Sequence, residues 1–239
     1  MHSRHALFYT PQPGPLAERL ADWLGWDPAT GKHRPHPALP GLPAPVAELT
    51  RRPRKYGAHG TLKPPFHLAP GTDVSALDTA TWAFAARTAP VVLGGLKITR
   101  IGSFLALTPR GETTAQADLS DLADLSDLAA AVVRDFDPFR APPTPQELER
   151  RRKARLSPRQ EAHLARWGYP HVMEDFRFHI TLTGPLKRDT LPAVQSALEA
   201  WLAPHLPVPF VLDALSLLTS DPDTGHFHLR HRVALSGGR

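Results

Sequence analysis

The sequence predicts an α+β fold built from two similar lobes, and three observations predict it. The element order strand, proline, helix, strand, strand occurs twice within 239 residues. The segments that open the two copies, Lys55 to Lys63 and Asp175 to Pro185, alternate side-chain character as half-buried strands do. Between them lie stretches with apolar residues at helical spacing, bounded by capping residues. Self-similarity over half a chain marks a diverged duplication. One bilobal unit over 1–239 is therefore expected, with repeat halves at about 50–110 and 170–236 and a helical insert at about 144–168.

Taken in order, residues 5–10 read as a strand closed by Pro11 and Pro13. Leu16, Leu20, Trp23 and Leu24 follow as a helix that Gly25 stops. From 27 to 45 proline and glycine leave no period, so an extended surface loop is expected. Lys55–Lys63 is a strand stopped by Pro64-Pro65, and a helix over 72–87 is capped by Thr72 or Asp73. The runs Val91–Ile101 and Phe104–Thr108 form a hairpin about Gly102-Ser103. The tandem repeat at 117–129 continues to Phe136 as an acidic amphipathic helix. Thr144-Pro145-Gln146-Glu147 and Ser157-Pro158-Arg159-Gln160 are capping boxes for helices at 145–155 and 158–167, the second ending at Gly168. A helix at 190–203 and the strands Val208–Thr219 and His226–Leu235 complete the chain. Trp23, Trp82, Trp167 and Trp201 fall on helix faces and read as core.

The composition narrows the chemistry. With no cysteine there is no disulfide, thiolate nucleophile or cysteine-held metal. The first nine residues read as a strand and not as a signal peptide, and no apolar run is long enough to span a membrane. A cytoplasmic protein without membrane attachment is expected. The net charge of +5 favours anionic partners. Part of that charge sits in the run Arg150–Arg155, which reads either as a solvated helix face or as a phosphate-attracting rim.

Strand alternation then assigns faces. In the second motif Phe176, Phe178, Ile180 and Leu182 share one face, and Arg177, His179, Thr181 and Thr183 the other. In the first, Ala58, Gly60 and Leu62 oppose His59, Thr61 and Lys63. The apolar faces must enter a core, which turns the polar faces toward a cleft. Two lobes about a pseudo-twofold axis would bring both histidines to that cleft. This is equipment for opening a cyclic phosphodiester without a metal. One neutral imidazole takes a proton from water, and the opposite imidazolium protonates the departing oxygen. Thr61 and Thr181 can bind the non-bridging oxygens, and Lys63 and Arg177 can offset charge on phosphorus.

His59-Gly60-Thr61-Leu62 and His179-Ile180-Thr181-Leu182 resemble the paired H-x-[ST]-hydrophobic motifs of the 2H phosphoesterase superfamily. The wider segments point to its DUF1045 branch. They are Arg54-Lys55-Tyr56-Gly57-Ala58-His59-Gly60-Thr61-Leu62-Lys63-Pro64-Pro65-Phe66, Asp137-Pro138-Phe139-Arg140-Ala141-Pro142, Arg166-Trp167-Gly168-Tyr169-Pro170 and Phe176-Arg177-Phe178-His179. The resemblance implies antiparallel sheets lining the cleft with helices outside. It implies His59 and His179 as catalytic, Thr61 and Thr181 as phosphate-binding, and no metal or cofactor. Its association with phosphonate metabolism suggests a small phosphorylated substrate, 5-phosphoribosyl 1,2-cyclic phosphate. Arg140 and Tyr169 join the candidate substrate-binding residues on this likeness. Tyr56 joins them if the strand begins after it.

Two other readings stay open. RNA with 2′,3′-cyclic phosphate or 2′-5′ ends would suit a basic rim at 150–155, and a non-catalytic nucleotide- or RNA-binding module would keep the motifs without turnover. His226, His228 and His231 read as an edge strand more readily than as a metal site, because no carboxylate accompanies them.

Overall fold

A computed structural model of the protein describes residues 3–110 and 116–238. In chain order its strands and helices are β1 (His5–Tyr9), α1 (Pro15–Leu24), β2 (Trp26–Asp27), β3 (Lys32–His33), α2 (Val46–Leu49), β4 (Gly60–Phe66), α3 (Val74–Arg87), β5 (Val91–Leu93), β6 (Leu96–Ile101), β7 (Phe104–Pro109) and α4 (Gln116–Asp135). They continue with α5 (Pro145–Arg152), α6 (Pro158–Trp167), β8 (Ile180–Thr181), α7 (Leu191–Leu202), β9 (Phe210–Leu212), β10 (Ala214–Ser220) and β11 (Phe227–Ala234). The fold is α+β, as the sequence predicts. Several local signals act where the sequence places them: Gly25 and Gly168 end α1 and α6 in the left-handed conformation, Asp73 caps α3, and both capping boxes form. The start of the acidic repeat, to residue 121, has side chains outside the described residues. Among the described residues no helix is long and apolar enough to cross a membrane.

Seven strands form one antiparallel sheet in the order β11-β10-β1-β4-β8-β7-β6. The two motif strands, β4 and β8, lie side by side near its middle, and Gly60 is opposite Ile180. His59 and His179 are 120 residues apart, and so are Gly60 and Ile180. The pseudo-twofold axis therefore passes through that pair. β5 and β9 obey the same symmetry, since Val91 pairs with Leu212 and Val92 with Val211. The halves are interleaved. The hairpin β6-β7 of the first half flanks β8, while β10-β11 of the second half flank β4 through β1. The helices cross over too, α3 packing on β10 and β11 and α7 on β6 and β7. One apolar core joins all these parts, from Leu7 and Trp23 through Phe84, Val132 and Phe178 to Leu198 and Leu215.

Five expectations need correction. The strand from Lys55 begins only at Gly60, because Arg54–Tyr56 winds into a 3-10 turn. It then runs through Pro64 and Pro65 to Phe66. Beyond Gly60 no ladder to β8 is formed, so prolines without an N–H cost no hydrogen bond on that side. The runs Val91–Ile101 and Val208–Thr219 each break, at Gly94-Gly95 and at Asp213, and release β5 and β9 to pair with each other. Trp82 is 55% exposed, one step around α3 from buried Thr81.

Candidate active site

The cleft face of the sheet is built by register. The single antiparallel pair Gly60–Ile180 fixes the register, which places His59 on the side of Thr181 and Thr61 on the side of His179. The two H-x-T motifs thus interlock as a square of two imidazoles and two hydroxyls. β8 is only two residues long, yet the predicted alternation holds around it: Phe176, Phe178, Ile180 and Leu182 are buried, while His179 and Thr181 stay partly open. All four polar residues line a cavity of about 550 Å³.

Each histidine is held the same way. Nδ1 of His59 donates to Gly57 O at 2.9 Å, and Nδ1 of His179 donates to Arg177 O at 2.8 Å. A carbonyl only accepts, so each neutral ring carries its proton on Nδ1 and leaves Nε2 free to exchange protons. The rings differ in surroundings. His59 stacks on Phe8 with centroids 4.1 Å apart, and Tyr56 lies 5.5 Å away. Burial pushes its pKa down to about 4, with a smaller contribution from the His179 charge. His179 has Phe104 beside it at 5.9 Å.

Of the other candidates, Tyr56 and Tyr169 line the cavity. Tyr56 reaches it because the strand starts after it. Lys63, Arg177 and Arg140 do not, and each has a physical reason. β4 bulges against β1: Thr61 pairs with Phe8 but Lys63 with Leu7. Phe8 faces the cleft and Leu7 the core, so the extra residue, Leu62, carries Lys63 through the sheet. There its ammonium donates to Val133 O at 3.0 Å and Asp137 Oδ1 at 3.3 Å. Arg177 precedes the ladder, is exposed, and folds its guanidinium back onto Glu174 O and Phe176 O. Arg140 binds Asp137 at 2.8 Å and Arg166 O at 3.1 Å beneath Gly168, which ties the α5–α6 insert to the end of α4.

Burial of Lys63 has a testable consequence. Desolvation lowers its pKa to about 8 despite Asp137, against about 10.4 in an unfolded chain. Between these values the unfolded state binds the extra proton, so stability rises with pH across that window. Lys63→Met is expected to remove that rise in thermal unfolding scans from pH 7 to 10 and to leave kcat/KM unchanged. A loss of activity would return Lys63 to the cleft.

Sequence reasoning missed Phe8 and Phe104, the aromatic neighbours of the histidines, and Arg4, Arg52 and Lys55 at the cavity wall. Parity along β1 was the available signal for Phe8, since it opposes Leu7 and Tyr9. Among the described residues no group of three or more His, Asp or Glu side chains is placed to hold a metal ion. His231 pairs with Asp78 at 3.1 Å, and His226 packs on Trp26 at 4.4 Å.

The family described as DUF1045, proteins of unknown function, matches residues 61–228, which include most of this framework. The chain belongs to the DUF1045 family. Two curated proteins named ribose 1,5-bisphosphate phosphokinase PhnN are similar to it. That of Janthinobacterium sp. (strain Marseille) is 35% identical over 98% of this chain and 51% of its own length. That of Laribacter hongkongensis (strain HLHK9) is 30% identical over 84% of this chain and 43% of its own. The chain thus spans about half the length of the curated relatives it matches. Two solved structures align with it at 15% identity. The protein TT0787 of Thermus thermophilus has a TM-score of 0.42 over 99% of this chain and 100% of its own. A protein described as a phosphoesterase has 0.39 over 98% and 99%.

Proposed function

We propose that this DUF1045 protein hydrolyses a cyclic phosphodiester on a small phosphorylated sugar, using His59 as general base and His179 as general acid. The observation that carries the reading is the interlocked register of the two H-x-T motifs about Gly60 and Ile180. The phosphate sits over the square, with its non-bridging oxygens toward the Thr61 and Thr181 hydroxyls. Nε2 of neutral His59 takes a proton from water as the water oxygen bonds to phosphorus. The opposite P–O bond breaks, and Nε2–H of His179 gives its proton to the departing alkoxide. His59 suits the basic role because its low pKa keeps it neutral at working pH.

The substrate suggested by the family resemblance is 5-phosphoribosyl 1,2-cyclic phosphate, an intermediate of phosphonate breakdown. The similar PhnN proteins bear the name of a ribose 1,5-bisphosphate kinase. Opening the ring by cleaving the bond from phosphorus to O2 leaves phosphate on C1 and yields ribose 1,5-bisphosphate. Hydrolysis of this ring bond would therefore supply the compound for which those relatives are named. No kinase step is proposed for this chain, whose sequence has no G-x-x-x-x-G-K-[ST] phosphate loop.

The test is turnover of 5-phosphoribosyl 1,2-cyclic phosphate, 2′,3′-cyclic nucleotides and cyclic-phosphate-ended RNA, each with and without EDTA. The sugar substrate should give the highest kcat/KM, yield the 1,5-isomer by phosphorus NMR and be insensitive to EDTA. Preference for RNA, or abolition by EDTA, would overturn the reading. The pH profile adds a check. Because kcat/KM reports the free enzyme, its acid limb is expected near pH 4, where His59 becomes protonated and can no longer accept a proton. A limb near the ordinary histidine value of about 6.5 would remove His59 from the base role.

A further inference from the structure

The cavity wall has a charge pattern that the two-histidine chemistry does not use. Arg4, Arg52, Lys55, Arg150 and Arg151 line it, and no carboxylate does. Among the described ion pairs none involves these five side chains, whereas Arg152 in the same basic run pairs with Glu161. Three of the five lie over aromatic rings: Arg4 over Phe227 at 5.6 Å, Lys55 over Tyr56 at 5.0 Å and Arg151 over Tyr169 at 4.8 Å. Ring faces orient a cation without neutralising it. The charges therefore stay available to an incoming anion. Arg151 stands out because its Nε is buried without an acceptor, and an unsatisfied buried donor is unfavourable until an acceptor arrives. Tyr56, within electrostatic reach of Arg151, connects this wall to His59.

We propose that Arg151, with Arg150 and Lys55 on the same cavity wall, forms a second anion subsite that takes a phosphomonoester carried by the same small molecule whose cyclic phosphodiester lies between the histidines. The inference rests on the phosphodiesterase reading and deepens it by assigning named residues to the remote phosphate dianion that such a cyclic phosphodiester would carry. One cyclic phosphodiester bears a single negative charge, which five unpaired cations exceed. A guanidinium fork matches a terminal phosphate in bidentate geometry. The insert α5–α6 is thereby a specificity element, and Arg140 anchors it. A cavity of about 550 Å³ suits a small ligand.

The experiment uses a matched pair, adenosine 2′,3′-cyclic phosphate and its 5′-phosphorylated form, with a cyclic-phosphate-ended oligonucleotide as third ligand. Wild-type protein should favour the 5′-phosphorylated compound by about 10²-fold in kcat/KM, mainly through KM, the scale of a lost charged contact. Arg151→Gln should bring that ratio close to one, Arg150→Gln should lower it less, and Arg151→Lys should restore part of it. Thermal unfolding confirms that each variant folds. Calorimetric affinities of the same ligands for His179→Ala read the subsite without turnover, so a failed phosphodiesterase reading and a failed subsite give different results. Equal affinity for the matched pair in this background, or a preference that survives both glutamine substitutions, overturns the proposal. So does an Arg151→Gln effect seen only with the oligonucleotide, which would indicate backbone contacts along an RNA.

Discussion

His179→Ala is expected to lower kcat/KM for the cyclic phosphodiester by about 10²–10⁴-fold, the range a positioned general acid contributes, with little change in thermal stability. Its ring is partly open to the cleft, makes one described hydrogen bond, to Arg177 O, and has Phe104 beside it at 5.9 Å. His59→Ala should lose activity on the same scale and also some stability, because it empties a ring stacked at 4.1 Å on Phe8. The double variant should be little worse than either single one, since acid and base act as a unit. Leaving groups separate the two roles. An acyclic p-nitrophenyl phosphodiester expels an anion that needs no proton, so the His179→Ala deficit should shrink with it while the His59→Ala deficit persists. The reverse pattern would exchange the assignments, and full activity in either single variant would remove the mechanism.

Gly60→Ala is expected to be costly although it adds one methyl group. A Cβ there would run into Cε2 and Cζ of Phe178, a ring 5% exposed and set between Tyr9 and Phe210. Overpacking of this kind costs about 1–3 kcal/mol, or a fall in Tm of roughly 2–12 °C for a chain of this size. Activity should fall too, because the displaced pair is the one that sets His59 against Thr181. Phe178→Leu in the Gly60→Ala background should recover part of both losses, although alone it destabilises by leaving a void. Such coupling is what residues in contact show. A neutral Gly60→Ala would mean that the close approach does not hold the two strands.

Much of this site is legible in the sequence for one reason: strand alternation has period two and needs no partner to be read. That period sends Phe176, Phe178, Ile180 and Leu182 inward and leaves His179 and Thr181 facing the cleft, even though the ladder itself covers only Ile180 and Thr181. It fails at Lys63, where a bulge against β1 inserts Leu62 and inverts the face. A bulge depends on the neighbouring strand, and no local pattern in 60–66 announces it. Arg177 and Arg140 depart from expectation for a related reason. Backbone parity or family likeness places the start of a long side chain, whereas carbonyls and carboxylates close in space capture its guanidinium.

The α+β class, most of the helices with their caps, the duplication and the pair of H-x-T motifs were determined by the sequence alone, because each depends on residues within a few positions or on a repeat. Only the tertiary structure decided that the halves interleave in one sheet, that Gly60 meets Ile180 on the pseudo-twofold axis, and that Arg150 and Arg151 turn into the cavity while Arg152 does not. These are contacts between segments distant in sequence, 53 residues apart for Phe8 and Thr61 and 214 for His5 and Thr219. They are selected by burying one shared core beneath both halves, a condition that no single segment satisfies by itself.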